Sequence, residues 1–244
     1  MFKQLLASAG IGACKIDTQL QTNQCVPGGS LKGQIQILGG AVAQQINGFD
    51  LALMTRVKVK ADNGEFYQNF CLQRFRLADA MLVEPGARHQ LPFELRLVDE
   101  LPVTHLPHHT VSKVWLTSEA DIDMALDPTD SDLLRIDATP LMLNCIDAML
   151  ALGYQLQKVD VEKGFLQVPG KRSKVGCYQE FEFRPRQWLS GVKEVELSFL
   201  PDGADMLLVV EVDRSFRGDS YRTLRLSPRS SSAEVQRALR TVLG

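Results

Sequence analysis

The run at residues 49–60 constrains this fold more than any other, because Phe49, Leu51, Leu53, Thr55, Val57 and Val59 share one parity while Asp50, Arg56, Lys58 and Lys60 share the other. A period of two puts the first set on one face and the charged set on the opposite face, the pattern of a long half-buried strand. The run stops at Asp62-Asn63-Gly64, where residues tolerant of positive φ favour a tight hairpin back into residues 66–77. Similar alternation follows the Pro27-Gly28-Gly29 turn at residues 31–37, and recurs through Leu91, Phe93, Leu95 and Leu97 towards Val111, Lys113 and Trp115. Short strands with frequent turn signals predict antiparallel β-sandwiches.

The pattern changes after Asp137. Thr139 is a suitable N-cap, Pro140 suits the first helical position, residues 141–152 are apolar at helical spacing, and Gly153 stands where a helix stops. Strands resume at 154–161 and 179–184, and then form a hairpin with arms 195–200 and 206–212 around Pro201-Asp202-Gly203. Ser231 and Glu234 make a capping box, and Val235, Ala238, Leu239, Val242 and Leu243 form one stripe opposite Arg237 and Arg240. This predicts an amphipathic helix over 231–243 that docks on its own domain. A length of 244 residues exceeds the usual single domain and predicts two, over 1–135 and 136–244.

A formal net charge of -2 provides no general field for nucleic acid or an anionic membrane. Residues 138–244 hold 15 of the 27 Lys and Arg but 13 of the 29 Asp and Glu, a mild asymmetry. Basic groups such as Lys171, Arg172, Lys174, Arg184 and Arg186 therefore read as solvated sheet faces. The start of the chain lacks the charged and apolar runs of an export signal. Cys14, Cys25, Cys71, Cys145 and Cys177 are odd in number and contain no Cys-x-x-Cys pair, which argues against a disulfide framework or zinc ribbon and for a reducing cytoplasm.

Between the Trp115 strand and the first helix lie Asp121, Asp123, Asp127, Asp130 and Asp132. Crowded carboxylates repel unless a cation, backbone amides or arginines compensate. Asp121 and Asp123 begin like a calcium loop, but Ala125 and Leu126 break that pattern and its central glycine is absent. The preferred expectation is a structural hinge in which Asp121, Asp123, Asp127 and Asp130 cap backbone amides or pair with arginines; Arg56, Arg74 and Arg76 could reach that cluster, while ordinary sheet-surface charge is the favoured reading of these three. His105, His108 and His109 lie between prolines, in an expected loop that removes the helical spacing of a zinc site, so no metal or cofactor is expected. No nucleophile elbow, phosphate loop or dinucleotide fingerprint is present, and the chain is expected not to be an enzyme.

Lys113-Val114-Trp115, Asp121-Ile122-Asp123 and Asp127-Pro128-Thr129-Asp130 closely resemble the hallmark of the bacterial sporulation-control proteins of the arrestin-like superfamily. So do residues 13–18, Pro27-Gly28 with Leu31-Lys32-Gly33, Gly39-Gly40 to Gln45, and residues 53–56. Residues 179–185, 195–200 and 211–214 resemble the same family's second domain. The resemblance implies two arrestin-like β-sandwiches joined by a short hinge, acting as a cytoplasmic regulator or scaffold without a known reaction. Such sandwiches present exposed edges, and a protein partner is expected to add a strand there or to wedge between the domains. Nucleic acid is not expected as a partner, and self-association remains open. The alternative is a calcium- or lipid-responsive membrane adaptor.

Overall fold

The computed structural model describes residues 13–62, 64–107, 109–122, 129–186, 191–214 and 220–243. Most of them are in strands, with helices at Pro140–Ala151 and Ser232–Leu243. The chain forms two compact units: Met1–Thr55, Phe70–Val98 and Lys113–Arg135 make the first, while Arg56–Asn69, Asp99–Ser112 and Ile136–Gly244 make the second. The last segment of the first unit ends at Arg135, and the second unit resumes at Ile136. The segments Arg56–Asn69 and Asp99–Ser112, however, leave the first half of the chain to join the second unit.

In the first unit, Lys15–Leu20, Ser30–Leu38 and Arg88–Arg96 form an antiparallel three-stranded sheet. Its inward side carries Leu31, Ile35, Ile37, Phe93 and Leu95, all buried at the predicted period of two. The facing sheet pairs Val114–Ile122 with residues 46–55 on one side and with Thr129–Ile136 on the other. It contributes Phe49, Leu51, Leu53, Leu116 and Ala120. A buried hydroxyl pair, Thr18 Oγ1 to Ser118 Oγ at 2.8 Å, joins the two sheets across this core.

In the second unit the strand order is Ser220–Leu226, Asp205–Arg214, Val192–Asp202, Cys177–Pro185 and Tyr154–Lys163. One face is apolar, with Phe181, Phe183, Val195, Leu197, Leu208 and Val210 fully buried. The helix Pro140–Ala151 contacts the strand Tyr154–Lys163 and the helix Ser232–Leu243. Thr139 Oγ1 accepts from the Met142 amide at 3.3 Å, and Gly153 follows at φ 90°, so both helix stops lie where the sequence put them. The last helix is docked: Val235, Leu239 and Leu243 are buried, Ser231 and Glu234 close the capping box, and Arg214 Nη2 donates to the Leu243 carbonyl at 2.7 Å.

Candidate functional site: a buried charge cluster and an open strand edge

The strand pattern places Lys58 on a solvated face, yet it is 7% exposed. The strand Gln44–Ala61 meets Tyr154–Lys163 through a parallel Lys58–Glu162 pairing. Lys58 Nζ lies 2.6 Å from Glu162 Oε1 and 2.9 Å from Asp160 Oδ2. Burial alone would lower this ammonium, but the hydrogen bonds and charges of Glu162 and Asp160 outweigh it and hold Lys58 well above the ordinary lysine range. Asp160 also takes Lys158 Nζ at 2.5 Å and the Tyr67 hydroxyl at 3.2 Å. Burial pushes the Asp160 carboxyl up, and Lys158 and Lys58 together hold it below the usual carboxylate range. With Glu65 3.6 Å from Lys58 and Lys60 4.0 Å from Glu162, the described cluster carries three cations against three carboxylates, so it is electrically balanced and built to hold its parts in place.

The polar face of the same sheet continues as a row of acids. Register places Lys158 opposite Glu182, Glu182 opposite Glu196, and Glu196 opposite Glu211. Like charges directly opposite destabilise an antiparallel pair. Burial first, and then the charges of Glu162 and Glu211, push Glu180 up to about 7. Burial first, and then Glu180 and Glu211, push Glu196 up to about 8. Nothing in the linear pattern announces this stack, because its members come from three separate strands.

A groove of 720 Å³ opens elsewhere in the second unit, between the helix Pro140–Ala151, the 106–111 turn and residues 155–159. Leu106, Leu143, Ile146, Leu150, Leu156 and Val159 line it, with Asp147 and Lys158 among its polar groups. Tyr154–Lys163 pairs along one side with Cys177–Pro185, whereas its pairing with Gln44–Ala61 is confined to Glu162. Among the described residues, 154–160 therefore present the other side of their backbone to no strand. An open edge beside an apolar groove can accept an extended chain through main-chain hydrogen bonds.

Of the predicted site residues, Asp121, Asp130 and Arg56 are described. Asp121 is exposed in the first unit. Asp130 Oδ2 accepts from the Thr18 amide at 2.7 Å and Asp130 Oδ1 from the Ser131 amide at 2.9 Å, so it caps backbone within that unit. Arg56 belongs to the second unit, where its guanidinium lies 5.0 Å over the Tyr67 ring. Arg74 pairs with Glu119 at 3.0 Å and Arg76 with Asp50 at 3.2 Å, both of them cross-strand surface pairs. Asp123 and Asp127 lie outside the described residues, as does His108. Oδ2 of Asp132 is buried without a hydrogen-bond partner, and burial followed by the charges of Asp130 and Asp17 raises its carboxyl. Carboxylate crowding is therefore real in the described part of the segment.

The expected histidine loop is instead a short hairpin, His105–Leu106 against His109–Thr110. Thr104 and Thr110 hydroxyls lie 2.8 Å and 3.3 Å from the two ring nitrogens of His105, which occupies both. Among the described residues, no three His, Cys, Asp or Glu side chains are grouped to hold a metal ion. Likewise, no described helix is long and apolar enough to cross a membrane.

The family model described as SpoOM protein matches residues 2–216. The sporulation-control protein spo0M of Bacillus subtilis (strain 168) is 36% identical over 224 residues, which covers 89% of this chain and 82% of that protein. The crystal structure of Spo0M, sporulation control protein, from Bacillus subtilis superimposes with a TM-score of 0.82 at 28% identity, over 96% of this chain and 98% of that one.

Proposed function

The chain belongs to the SpoOM protein family, and from that premise we propose that it is a non-catalytic regulatory protein that acts by binding protein partners. The observation that carries this reading is the unpaired strand side at 154–160 beside an apolar groove. Such an edge is a liability unless it is covered, and a partner strand covers it. The arrestin-like description of the two units, taken from the sequence resemblance, fits two compact bodies of antiparallel sheet. The described groups with perturbed protonation support the same reading. Lys58 and Asp160 sit in a cluster whose ion pairs balance, and the Glu180–Glu196 stack has neither a nucleophile nor a base aimed at an open pocket. A reducing cytoplasm accords with the five free thiols.

Affinity capture with the full chain from its native cytosol, followed by reconstitution from purified proteins, tests this reading. The expected result is a stoichiometric complex that forms without turnover of either component. Turnover in a broad substrate panel, with no reproducible protein complex, overturns it. Calcium titration calorimetry and liposome sedimentation separate it from the calcium- or lipid-responsive adaptor.

A further inference from the structure

Among the described residues of the second unit, Ser220–Leu226 and residues 154–160 each leave one side of the backbone without a strand, and the two differ in how that side is guarded. Among the described residues, Ser220–Leu226 pairs only with Asp205–Arg214 and carries exposed Arg222, a charge of the kind that blunts an edge against further pairing, while its Arg225 is engaged by Asp202 and Asp205. The free side at 154–159 carries the neutral Gln155 and Gln157. Its one cation is already engaged, because Lys158 Nζ sits 2.5 Å from Asp160 Oδ2. The adjoining groove is therefore apolar at its base, with one uncompensated charge in its lining. Asp147 is exposed on the helix Pro140–Ala151, within one turn of Leu143 and Leu150, and no cation of a described residue lies within ion-pair distance of it.

Resting on the partner-binding reading above, we propose that residues 154–159 and this groove bind an extended peptide segment of a partner protein by strand addition. Alternate apolar side chains of the segment seat against Leu143, Ile146, Leu150 and Leu156, and a lysine or arginine of the segment pairs with Asp147. Six residues of strand span about 20 Å, enough for a short segment to make several main-chain hydrogen bonds. The ladder to Cys177–Pro185 shifts register between Leu156 and Lys158. A bulge of this kind bends the edge and twists it away from a long flat neighbour, so a short flexible peptide fits better than the matching strand of a second copy. The negative lining selects a basic segment, and the apolar base selects alternation.

A fluorescent peptide of alternating valine and threonine bearing one terminal lysine is the probe, and the same peptide with glutamate for lysine is its control. The full chain is expected to bind the lysine peptide saturably and to prefer it over the control. Slowed amide exchange is expected at 154–159. Asp147→Lys is expected to weaken the lysine peptide about tenfold, equivalent to about 1.4 kcal/mol, and to reverse the preference. Leu150→Glu, at a side chain already 38% exposed and so tolerant of change, is expected to weaken both peptides about tenfold. The proposal is overturned by absence of binding, by bound peptide that leaves exchange at 154–159 unchanged, or by an unaltered preference in Asp147→Lys. It is also overturned if the chain alone is a dimer that Leu150→Glu dissolves, since a second copy then covers the edge. A captured partner that still binds the Asp147→Lys/Leu150→Glu double variant removes the groove assignment and leaves the partner-binding reading intact.

Discussion

Lys58 Nζ stands 2.6 Å from Glu162 Oε1, and the two side chains are only 9% and 5% exposed. A pair this far from water gains little net stability over an apolar pair, but loss of one member strands a buried charge. Lys58→Met is therefore expected to lower stability by about 3 to 5 kcal/mol in urea unfolding. The double variant Lys58→Met/Glu162→Gln is expected to regain part of that loss. Equal stability of Lys58→Met and the parent protein would show that the pair is not desolvated in solution.

Glu180 and Glu196 hold their protons to about 7 and about 8, against 4.5 for an unperturbed glutamate. Between those limits the folded chain binds more protons than the unfolded chain, so stability falls as pH rises from about 4.5 to about 8. The midpoint of thermal unfolding is expected to drop across this window, by about 2 to 4 °C for each kcal/mol lost. Glu196→Gln, which cannot ionise, is expected to flatten the profile and to be more stable than the parent at pH 8. A profile of unchanged slope in Glu196→Gln rejects this account.

Two glycines respond differently to an added methyl group. At Gly39 a Cβ would lie 2.1 Å from the Glu84 carbonyl oxygen, a backbone atom that cannot move alone. Gly39→Ala is expected to cost about 1 to 3 kcal/mol, as overpacking does. At Gly48 the clash is with the Arg76 guanidinium, the free end of a flexible side chain. Gly48→Ala is expected to displace Arg76 from the Asn47 carbonyl and to stay within about 0.5 kcal/mol of the parent by chemical denaturation.

Burial pushes the thiols of Cys145 and Cys177 up to about 12, and Cys14 and Cys25 are buried too. Cys71 alone is partly exposed. Thiolate is the reactive form, so an aromatic disulfide reagent is expected to label Cys71 first in the native chain and the buried thiols only on unfolding. Prompt native labelling of Cys145 would contradict the packing of its helix.

The last helix is fixed by its cap and its stripe. Ser231→Ala is expected to cost about 1 kcal/mol through the lost capping box. Leu239→Ala, at a fully buried position, is expected to cost about 2 to 5 kcal/mol. Circular dichroism and urea midpoints measure both, and two small effects would mean that the helix is undocked in solution.

The local features of this chain were legible in its residues. The alternation at 49–60 specified a strand, Thr139-Pro140 and Gly153 bracketed a helix, Ser231 and Glu234 capped another, and the turn at Gly203 closed the predicted hairpin at φ 65°. Each is a short-range demand of backbone geometry, satisfied by neighbours within a few positions. Parity also put Lys58 in water, and there local periodicity failed, because the partner that buries it lies elsewhere in the chain. Asp160 is 102 positions away in sequence. Which strand lies beside which, and in what register, depends on segments far apart, so only the tertiary structure could balance Lys58 with Asp160 and Glu162. The same long-range pairing stacked Glu182, Glu196 and Glu211, placed Arg56 over Tyr67, and left one side of 154–160 open, among the described residues, beside an apolar groove.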